Sequence, residues 1–248
     1  MMVLKAVKNH RVLSGLGAFA GFAAVLTGMM SAALAGYVPP ADADAPTSRS
    51  TSGGRRGGCQ GAGDIDLVAL APQHHIGQTM SSHPTVAWFV PADIRQPLEL
   101  ELYEKGESGQ WQRLSTFTLE EGPAGIMTFT WPESEPGLEV GQTYRWQVIS
   151  TCVVGLPSRD LVTTAELQVV APEEASTPAT ANPVETAQRY AEAGLWYDAL
   201  ALVAGPSLPA LATYRNELLL DLAALEAASA GDEEIYLSTQ LRRIVAAE

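Results

Sequence analysis

Hydrophobic and polar positions alternate along the middle of the chain with the period of a β-strand. In Leu98-Glu99-Leu100-Glu101-Leu102 every second residue is leucine, so one face of the segment is apolar and the other is charged. Further runs rich in Val, Leu, Ile, Thr and aromatic residues alternate with turns such as Glu107-Ser108-Gly109. The pattern predicts seven strands, at residues 66–71, 85–90, 98–104, 111–119, 126–131, 143–153 and 161–170.

Short strands in this number and at this spacing predict that residues 59–170 form a β-sandwich of the immunoglobulin or fibronectin type. Trp88 and Trp146 are the expected core aromatics on the facing sheets. Because no cysteine lies close to Trp88 in the sequence, the inter-sheet disulfide of antibody domains is not expected.

The hydrophobic period becomes helical near the C-terminus. Asn182-Pro183-Val184-Glu185 combines an N-cap residue, a proline at the first helical position and an acid in the first turn. Gly194 and Gly205-Pro206 end two short helices, and longer helices are predicted at 208–230 and from 232 onward. Residues 183–248 are therefore predicted to be a helical unit. We expect it to pack against the sandwich, because a unit of roughly 65 residues is marginal alone.

The start of this unit resembles one tetratricopeptide-type helical hairpin. The residues that carry the resemblance are Tyr190-Ala191-x-x-Gly194-x-Trp196-x-x-Ala199-Leu200, whose small and aromatic side chains suit two closely crossing helices. Tyr190, Trp196 and Tyr197 could alternatively line a groove for a peptide or a sugar. Burial of these three residues between the hairpin and the sandwich is the competing interpretation.

Two segments have a composition that cannot build a core. Residues 36–58 are rich in Pro, Ala, Asp, Ser, Thr and Gly and are predicted to be a disordered leader. Residues 171–182 have a similar composition and are predicted to link the sandwich to the helices.

The N-terminus has the three parts of a secretory signal. Lys5, Lys8 and Arg11 precede a long uncharged stretch that ends on the small-x-small site Ala33-Leu34-Ala35. Residues 1–35 are therefore predicted to be a signal peptide that is cut after Ala35. The protein would then be periplasmic or secreted, without stable association with the membrane.

One alternative is that the segment stays uncut as a single membrane anchor with an exported domain, since its apolar run could span a bilayer. A lipid anchor is not expected, because Tyr37 stands where a lipoprotein signal would need cysteine.

The charge balance argues against nucleic acid as a partner. The chain has a formal net charge of −13, and loss of the three basic residues of the signal would leave 12 basic and 28 acidic residues, or −16. Phosphate binding depends on Lys and Arg. The one basic cluster, Arg49, Arg55 and Arg56, lies among Ser, Thr and Gly and is interpreted as part of a solvated leader.

The chain has two cysteines, Cys59 and Cys152, both in the part predicted to be exported. In an oxidising compartment such a pair predicts a disulfide. It would close a loop of roughly 90 residues and contribute about 4 kcal/mol by chain entropy. A cysteine metal site is not indicated, since neither residue has a second ligand close by.

The sequence shows few groups that could carry chemistry. His74, His75 and His83 could hold a metal ion, although adjacent histidines point apart in an extended chain and no acid lies in that loop. No Gly-x-Ser-x-Gly elbow, phosphate loop or dinucleotide fingerprint occurs in the sequence. No catalytic residue and no cofactor are predicted.

A series of landmarks follows a fixed order along the chain: Gly57-Gly58-Cys59, Leu67–Pro72, Pro84–Pro91, Gly125-Ile126, Leu138-x-x-Gly141-x-x-Tyr144-x-Trp146, Cys152 and Tyr190–Leu200. This series resembles the cyanobacterial family described as domain of unknown function 928. The resemblance covers roughly residues 55–225 and implies export, this architecture and a cyanobacterial source, but no activity.

These observations lead to one expectation and two alternatives. We expect an exported, non-catalytic protein-interaction module whose partner is an envelope or secreted protein. The first alternative is a module that binds a metal or a small ligand through His74, His75 and His83. The second is a hydrolase whose residues the sequence does not reveal.

Overall fold

The computed structural model describes residues 36–47, 65–91, 97–106, 108–119, 124–152, 155–172, 182–205, 208–229 and 231–248. All of them belong to one compact unit. In this part of the chain the fold is mixed, with eight strands in two sheets and four helices towards the C-terminus. The predicted signal peptide, residues 1–35, lies outside the described residues. None of the described helices is long and apolar enough to cross a membrane.

The elements follow the chain from short strands to long helices. The strands are β1 Val68–Ala69, β2 Gly77–Thr79, β3 Thr85–Val90, β4 Leu98–Lys105, β5 Trp111–Leu119, β6 Gly125–Thr130, β7 Thr143–Ser150 and β8 Leu161–Val169. The helices are α1 Pro183–Glu192, α2 Trp196–Val203, α3 Pro209–Ala228 and α4 Asp232–Ala247. A short 3₁₀ turn at Pro157–Arg159 precedes β8.

The strands form a three-stranded and a five-stranded sheet. The smaller sheet has the order β1-β3-β6 and the larger has the order β2-β8-β7-β4-β5. Neighbouring strands are antiparallel, except that β2 runs parallel to β8. The edge strands β5 and β6 follow one another along the chain.

The alternating leucines of β4 pack on the buried face of the larger sheet, as the period-two pattern predicts. Leu102 is paired with Trp146 of β7, and Leu100 is paired with Val148. All four side chains are buried. Trp88 of β3 is also fully buried, so both tryptophans predicted for the core belong to it.

The helices begin and end where the local sequence predicts. The Asn182 side chain accepts a hydrogen bond from the Val184 N–H and caps α1. Gly194 has a φ of 80° in the turn between α1 and α2, a conformation that glycine adopts without strain. Helices α1 and α2 pack against each other, as do α3 and α4.

The sheets and the helices share a single hydrophobic core. Helix α2 contacts both β2 and β3. Its Trp196 Nε1 donates to the carbonyl of Leu70 at 3.0 Å, and its Tyr197 hydroxyl donates to the carbonyl of Glu166 at 2.9 Å. The Trp146 indole of the larger sheet donates to the same hydroxyl at 3.1 Å. The helical unit thus shares its hydrophobic core with the sheets, and α2 is the helix that contacts the strands most.

Residues 36–47, which we name the strap, are the main departure from the predicted organisation. The disordered leader predicted for residues 36–58 is wrong for this segment, because its Tyr37 is buried in the core. The Val38 N–H donates to the carbonyl of Ala191 at 3.1 Å, and the Ile76 N–H donates to the carbonyl of Asp44 at 2.8 Å. The remainder of the predicted leader, 48–58, lies outside the described residues.

Candidate functional site

A groove of about 300 Å³ lies where the loop between β6 and β7 meets strands β4, β5 and β7. This volume is at the lower end of the range in which ligand pockets fall. Its described lining residues are Glu104, Leu114, Ser115, Trp131, Glu135, Pro136, Gly137, Leu138, Glu139 and Tyr144.

Two aromatic residues shape the groove and are held by the β6–β7 loop. Trp131 and Tyr144 are 5% and 2% exposed. The Trp131 Nε1 donates to the carbonyl of Pro136 at 2.9 Å, and the Tyr144 hydroxyl accepts from the Glu139 N–H at 2.9 Å. Each bond joins an aromatic side chain to the backbone of the same loop, so the loop and its aromatic residues form one preorganised wall.

An irregularity in β5 supplies the apolar rim of the groove. Leu102 is paired with Ser115 and Tyr103 with Arg113, so Leu114 has no partner in β4. Such a β-bulge re-aims a side chain that would otherwise follow the alternation of the strand. Leu114 lines the groove and is 45% exposed.

The groove is acidic. Three glutamates line it, Glu104, Glu135 and Glu139, and no Lys or Arg is found among its described lining residues. Burial raises the pKa of Tyr144, and the negative charges of Glu104 and Glu139 add to this effect. The site therefore combines an apolar wall with a negative rim to which no described lining residue adds a positive charge.

The basic side chains of the neighbouring strands are engaged with other groups. The guanidinium of Arg145 lies 4.4 Å from the ring centroid of Tyr103 and 4.9 Å from that of Trp111. Arg113 forms an ion pair with Glu101 at 2.7 Å. These contacts keep the two cations in interactions within the larger sheet.

The structure does not bring the three candidate histidines together. The His75 ring is buried, and its Nε2 lies 2.6 Å from the Tyr37 hydroxyl. Its pKa is lowered to about 4, mainly by burial and in addition by His74. His74 is exposed, whereas the His83 Nε2 lies 3.4 Å from the Glu135 carbonyl oxygen.

The metal site considered for these histidines stays a prediction, and the described structure does not assemble it. Among the described residues, no group of three or more His, Cys, Asp or Glu side chains is arranged to hold a metal ion. The three rings lie in different environments. The His75 ring is buried, the His74 ring is exposed, and the His83 ring lies beside the Glu135 carbonyl.

The three aromatic residues considered for a binding groove in the helices serve the interior instead. Trp196 is 0% and Tyr197 is 1% exposed, and their polar atoms are hydrogen-bonded inside the protein. Tyr190 is partly buried and packs against the same core. Their interpretation as interaction residues is therefore corrected, because two of the three present no surface to a partner.

The remaining candidate residues lie partly outside the described chain. Cys152 is partly buried and packs against the core, whereas Cys59 is outside the described residues, so the pairing of the two stays a prediction. The expected cleavage residues Ala33 and Ala35 are likewise outside them.

A second polar region surrounds Glu226 of α3, near the start of the β1–β2 connection. Its Oε1 accepts hydrogen bonds from the N–H groups of Gln73 at 2.9 Å and His74 at 3.3 Å. Burial raises the pKa of Glu226 to about 7. The adjoining cavity, lined in part by Gln73 and Tyr236, measures about 20 Å³, room for a water molecule and no larger ligand. Through these two hydrogen bonds, the Glu226 carboxylate stabilises the backbone of the β1–β2 connection.

The groove residues were not identified as a site by sequence reasoning. Its wall comes from Trp131 and the β6–β7 loop. In the sequence, Leu138 and Tyr144 served only as family landmarks, and the glutamates of the loop were not singled out as a site. The available signal was the combination of aromatic and acidic residues between two strands. It did not reveal the bulge at Leu114, which places the rim.

The chain matches a known protein family. The family model described as Domain of Unknown Function (DUF928) matches residues 51–230. A search of curated proteins gives no match. The match covers the groove, both sheets and most of the helices.

Proposed function

Because the chain belongs to the DUF928 family, whose description names no activity, we propose its function from the geometry of the groove. The protein is an exported, non-catalytic interaction module. It binds a basic segment of an envelope or secreted protein in the groove between β5 and the β6–β7 loop.

The observation that carries this proposal is the combination of an apolar wall with uncompensated carboxylates. Trp131, Leu138 and Tyr144 line the groove together with three glutamates, and Leu114 projects from the bulge at its rim. The aliphatic stem of a lysine or arginine can pack on such a wall while its charged head meets the carboxylates. The net charge of −13 would further steer cationic partners towards the protein.

A protein segment fits this site because an edge strand borders it. In the described ladders β5 pairs with β4 alone, so the other edge of β5 offers backbone N–H and carbonyl groups. An extended segment can add to such an edge through main-chain hydrogen bonds while its side chains enter a pocket. Leu114 and Ser115 belong both to β5 and to the groove.

We also propose that the two sheets form an immunoglobulin-type sandwich. The orders β1-β3-β6 and β8-β7-β4-β5 agree with the strand orders A-B-E and G-F-C-C′ of such domains. The Tyr144 hydroxyl, at the start of β7, bonds to the backbone of Glu139 as in a tyrosine corner. In this arrangement β5 takes the position of an exposed edge strand.

The tetratricopeptide-like interpretation of α1 and α2 is proposed on packing grounds. The two helices pack against each other, and their small residues Ala187, Ala191 and Ala199 are fully buried. Gly194 forms the turn between the helices. We propose that the hairpin stabilises the fold and does not bind the partner, since its aromatic residues face the core.

Export, a cyanobacterial source and the Cys59–Cys152 disulfide belong to the same proposal. Support for export comes from the charge pattern and the small-residue site of residues 1–35. In the periplasm or outside the cell, a disulfide between the two cysteines would persist. The test uses the variants Cys59→Ser and Cys152→Ser. Each should be less stable than wild type under oxidising conditions and as stable as wild type under reducing conditions.

The test is a selection from a displayed library of random peptides against the mature chain, residues 36–248. We expect the selected peptides to be enriched in Lys or Arg next to aliphatic residues. Glu139→Lys should weaken their binding about tenfold or more, since a close charge reversal changes the interaction by roughly 1.4 kcal/mol. The loss should shrink at high salt.

Matched controls carry the same changes away from the groove. Glu217→Lys lies on the exposed face of α3, and Leu208→Ser replaces a leucine that is 69% exposed. Both should leave binding unchanged, whereas Leu114→Ser should weaken it. Selected peptides without a basic bias, or binders that tolerate Glu139→Lys as well as Glu217→Lys, would refute the groove as the binding site.

A further inference from the structure

The first residues of the strap lie against a carboxylate of helix α3. A Cβ atom placed on Gly36 would be 2.6 Å from the Asp221 Oδ2, so no larger residue fits without movement. The Tyr37 N–H donates a hydrogen bond to the same Asp221 carboxylate. The backbone nitrogen of Gly36 is two bonds from the Cβ position and therefore lies within about 5 Å of this carboxylate.

The surroundings of Asp221 are acidic. Burial is the main cause that raises the pKa of Tyr214 to about 12, and the negative charges of Asp221 and Glu192 add to the rise. Tyr214 is 3% exposed, and its hydroxyl has no hydrogen-bond partner among the described residues. Within the described chain no lysine or arginine forms an ion pair with Asp221. A cation with several hydrogen-bond donors would complement this group of atoms.

The chain itself can supply such a cation at Gly36. We propose that cleavage between Ala35 and Gly36 creates an α-ammonium group that binds Asp221 and locks the strap onto helix α3. The proposal rests on the proposed export, since export is the process that removes residues 1–35. The N-terminus of the mature protein is thereby a functional group of the fold.

The chemistry of cleavage explains why the lock forms only after processing. A peptidase adds one water across the Ala35–Gly36 amide, which leaves a carboxylate on Ala35 and an amine on Gly36. The amine takes up a proton near neutral pH, since its ordinary pKa is about 7.7–8.0. Before cleavage the same nitrogen is an uncharged amide with a single N–H, whereas the ammonium group has three donors and a full charge.

The contacts that follow Gly36 hold the new terminus in place. Tyr37 is buried, with its ring 4.9 Å from that of Trp196 and its hydroxyl bonded to His75. Farther along, the Thr47 N–H and hydroxyl both donate to Glu166 Oε1. The ammonium group would therefore be fixed beside Asp221 by the interior and would not fray as most chain ends do.

The experiment is a double-mutant cycle on thermal unfolding. Two forms of the protein are compared, one that begins at Gly36 with a free amine and one that retains Ala33-Leu34-Ala35. Each is combined with Asp221→Asn. We expect Asp221→Asn to lower the melting temperature of the mature form by about 2–4 °C or more and to change that of the extended form by less than about 1 °C. An equal loss in both forms would overturn the proposal.

A second readout is independent of the Asp221 variant and of export. NMR titration of the Gly36 amine should give a pKa at least about one unit above the ordinary value, because a nearby carboxylate favours the charged form. Acetylation of that amine should lower the melting temperature, whereas Gly205→Ala, at a position with open space, should not. An ordinary amine pKa together with no effect of acetylation contradicts the lock.

The two proposals fail in different ways. If the exported protein begins at a residue other than Gly36 by mass spectrometry, the predicted cleavage site is wrong, and the physiological role of the lock falls with it. If it begins at Gly36 but the cycle shows no coupling, export stands and the ammonium–Asp221 pair does not.

Discussion

The two polar regions of this protein use aromatic residues and carboxylates in opposite ways. Around α2 and the strap, Trp196 and Tyr37 are buried, and Glu226 is turned inward to accept backbone hydrogen bonds. At the groove, Trp131 lies beneath carboxylates such as Glu139 that face solvent. The same residue types thus build the interior in one region and line an open groove in the other.

The difference lies in what the carboxylates meet. Near α2 and the strap, the Glu226 carboxylate accepts backbone hydrogen bonds from Gln73 and His74. At the groove the carboxylates of Glu104, Glu135 and Glu139 line an open volume without a lysine or arginine among the described lining residues. We conclude that the helical region stabilises the fold, and that the groove is the place to look for partners.

The largest effect is expected when an interior aromatic residue is removed. Trp196→Ala leaves a cavity and removes the hydrogen bond to the Leu70 carbonyl, so the free energy of unfolding should fall by about 3–5 kcal/mol. Leu114→Ala at the groove should change it by less than about 0.5 kcal/mol, since the residue is half-exposed. Urea denaturation of both variants gives the two values. Similar losses would abolish the distinction between the regions.

A smaller effect on stability is expected where the strap packs against the turn at Gly194. Gly194 and Gly155 have φ values of 80° and 81°, so alanine at either position costs about 1–2 kcal/mol from backbone strain. At Gly194 a Cβ would also lie 2.8 Å from Pro40 Cγ of the strap, whereas open space surrounds Gly155. Gly194→Ala should therefore cost about 1 kcal/mol more than Gly155→Ala in denaturant unfolding. Equal costs would mean that the strap does not pack there in solution.

The pH dependence of stability should reveal the buried carboxylate. The pKa of Glu226 rises from 4.5 to about 7 on burial, so the folded protein holds this proton more tightly than the unfolded chain does. Its contribution to the free energy of unfolding should therefore fall, by on the order of 1–2 kcal/mol, as pH rises from about 4.5 to 7. Glu226→Gln removes this fall.

The comparison with wild type isolates Glu226 from other titrating groups. His75, whose pKa is lowered to about 4, gives the opposite trend in both proteins, because the unfolded chain binds its proton more tightly. The difference in unfolding free energy between Glu226→Gln and wild type should therefore grow with pH across that window. A difference that stays constant would show that this carboxylate is not held in a buried, protonated state.

The smallest effect on stability is expected at the groove rim. Glu139→Lys alters an exposed side chain and should change the free energy of unfolding by less than about 0.5 kcal/mol. Its effect should appear in peptide binding instead. A variant that unfolds more easily while binding unchanged would reverse the roles assigned to the two regions.

The strands and helices were predictable wherever hydrophobic periodicity is strong. The segments predicted at 85–90 and 111–119 coincide with β3 and β5, and α3 and α4 lie where the third and fourth helices were expected. Strand β2, Gly77–Thr79, was missed because its three residues show no apolar alternation. Its pairing with β8 depends on backbone hydrogen bonds that leave no pattern in the sequence.

The strap and the groove escaped prediction because both depend on contacts between distant parts of the chain. The composition of residues 36–47 is that of a disordered segment, and Tyr37 is ordered by Trp196 and His75. The groove likewise needs Leu114 beside Tyr144, which requires a register shift in β5. Local composition carries no information about either arrangement.

The most direct test of the central claim maps peptide binding onto the two regions at once. The indole N–H signals of Trp131 and Trp196 are followed by NMR while a basic peptide from the library selection is added to the mature protein. The account predicts that the Trp131 signal shifts in step with peptide binding and that the Trp196 signal stays fixed. A shift at Trp196 with none at Trp131 would contradict it.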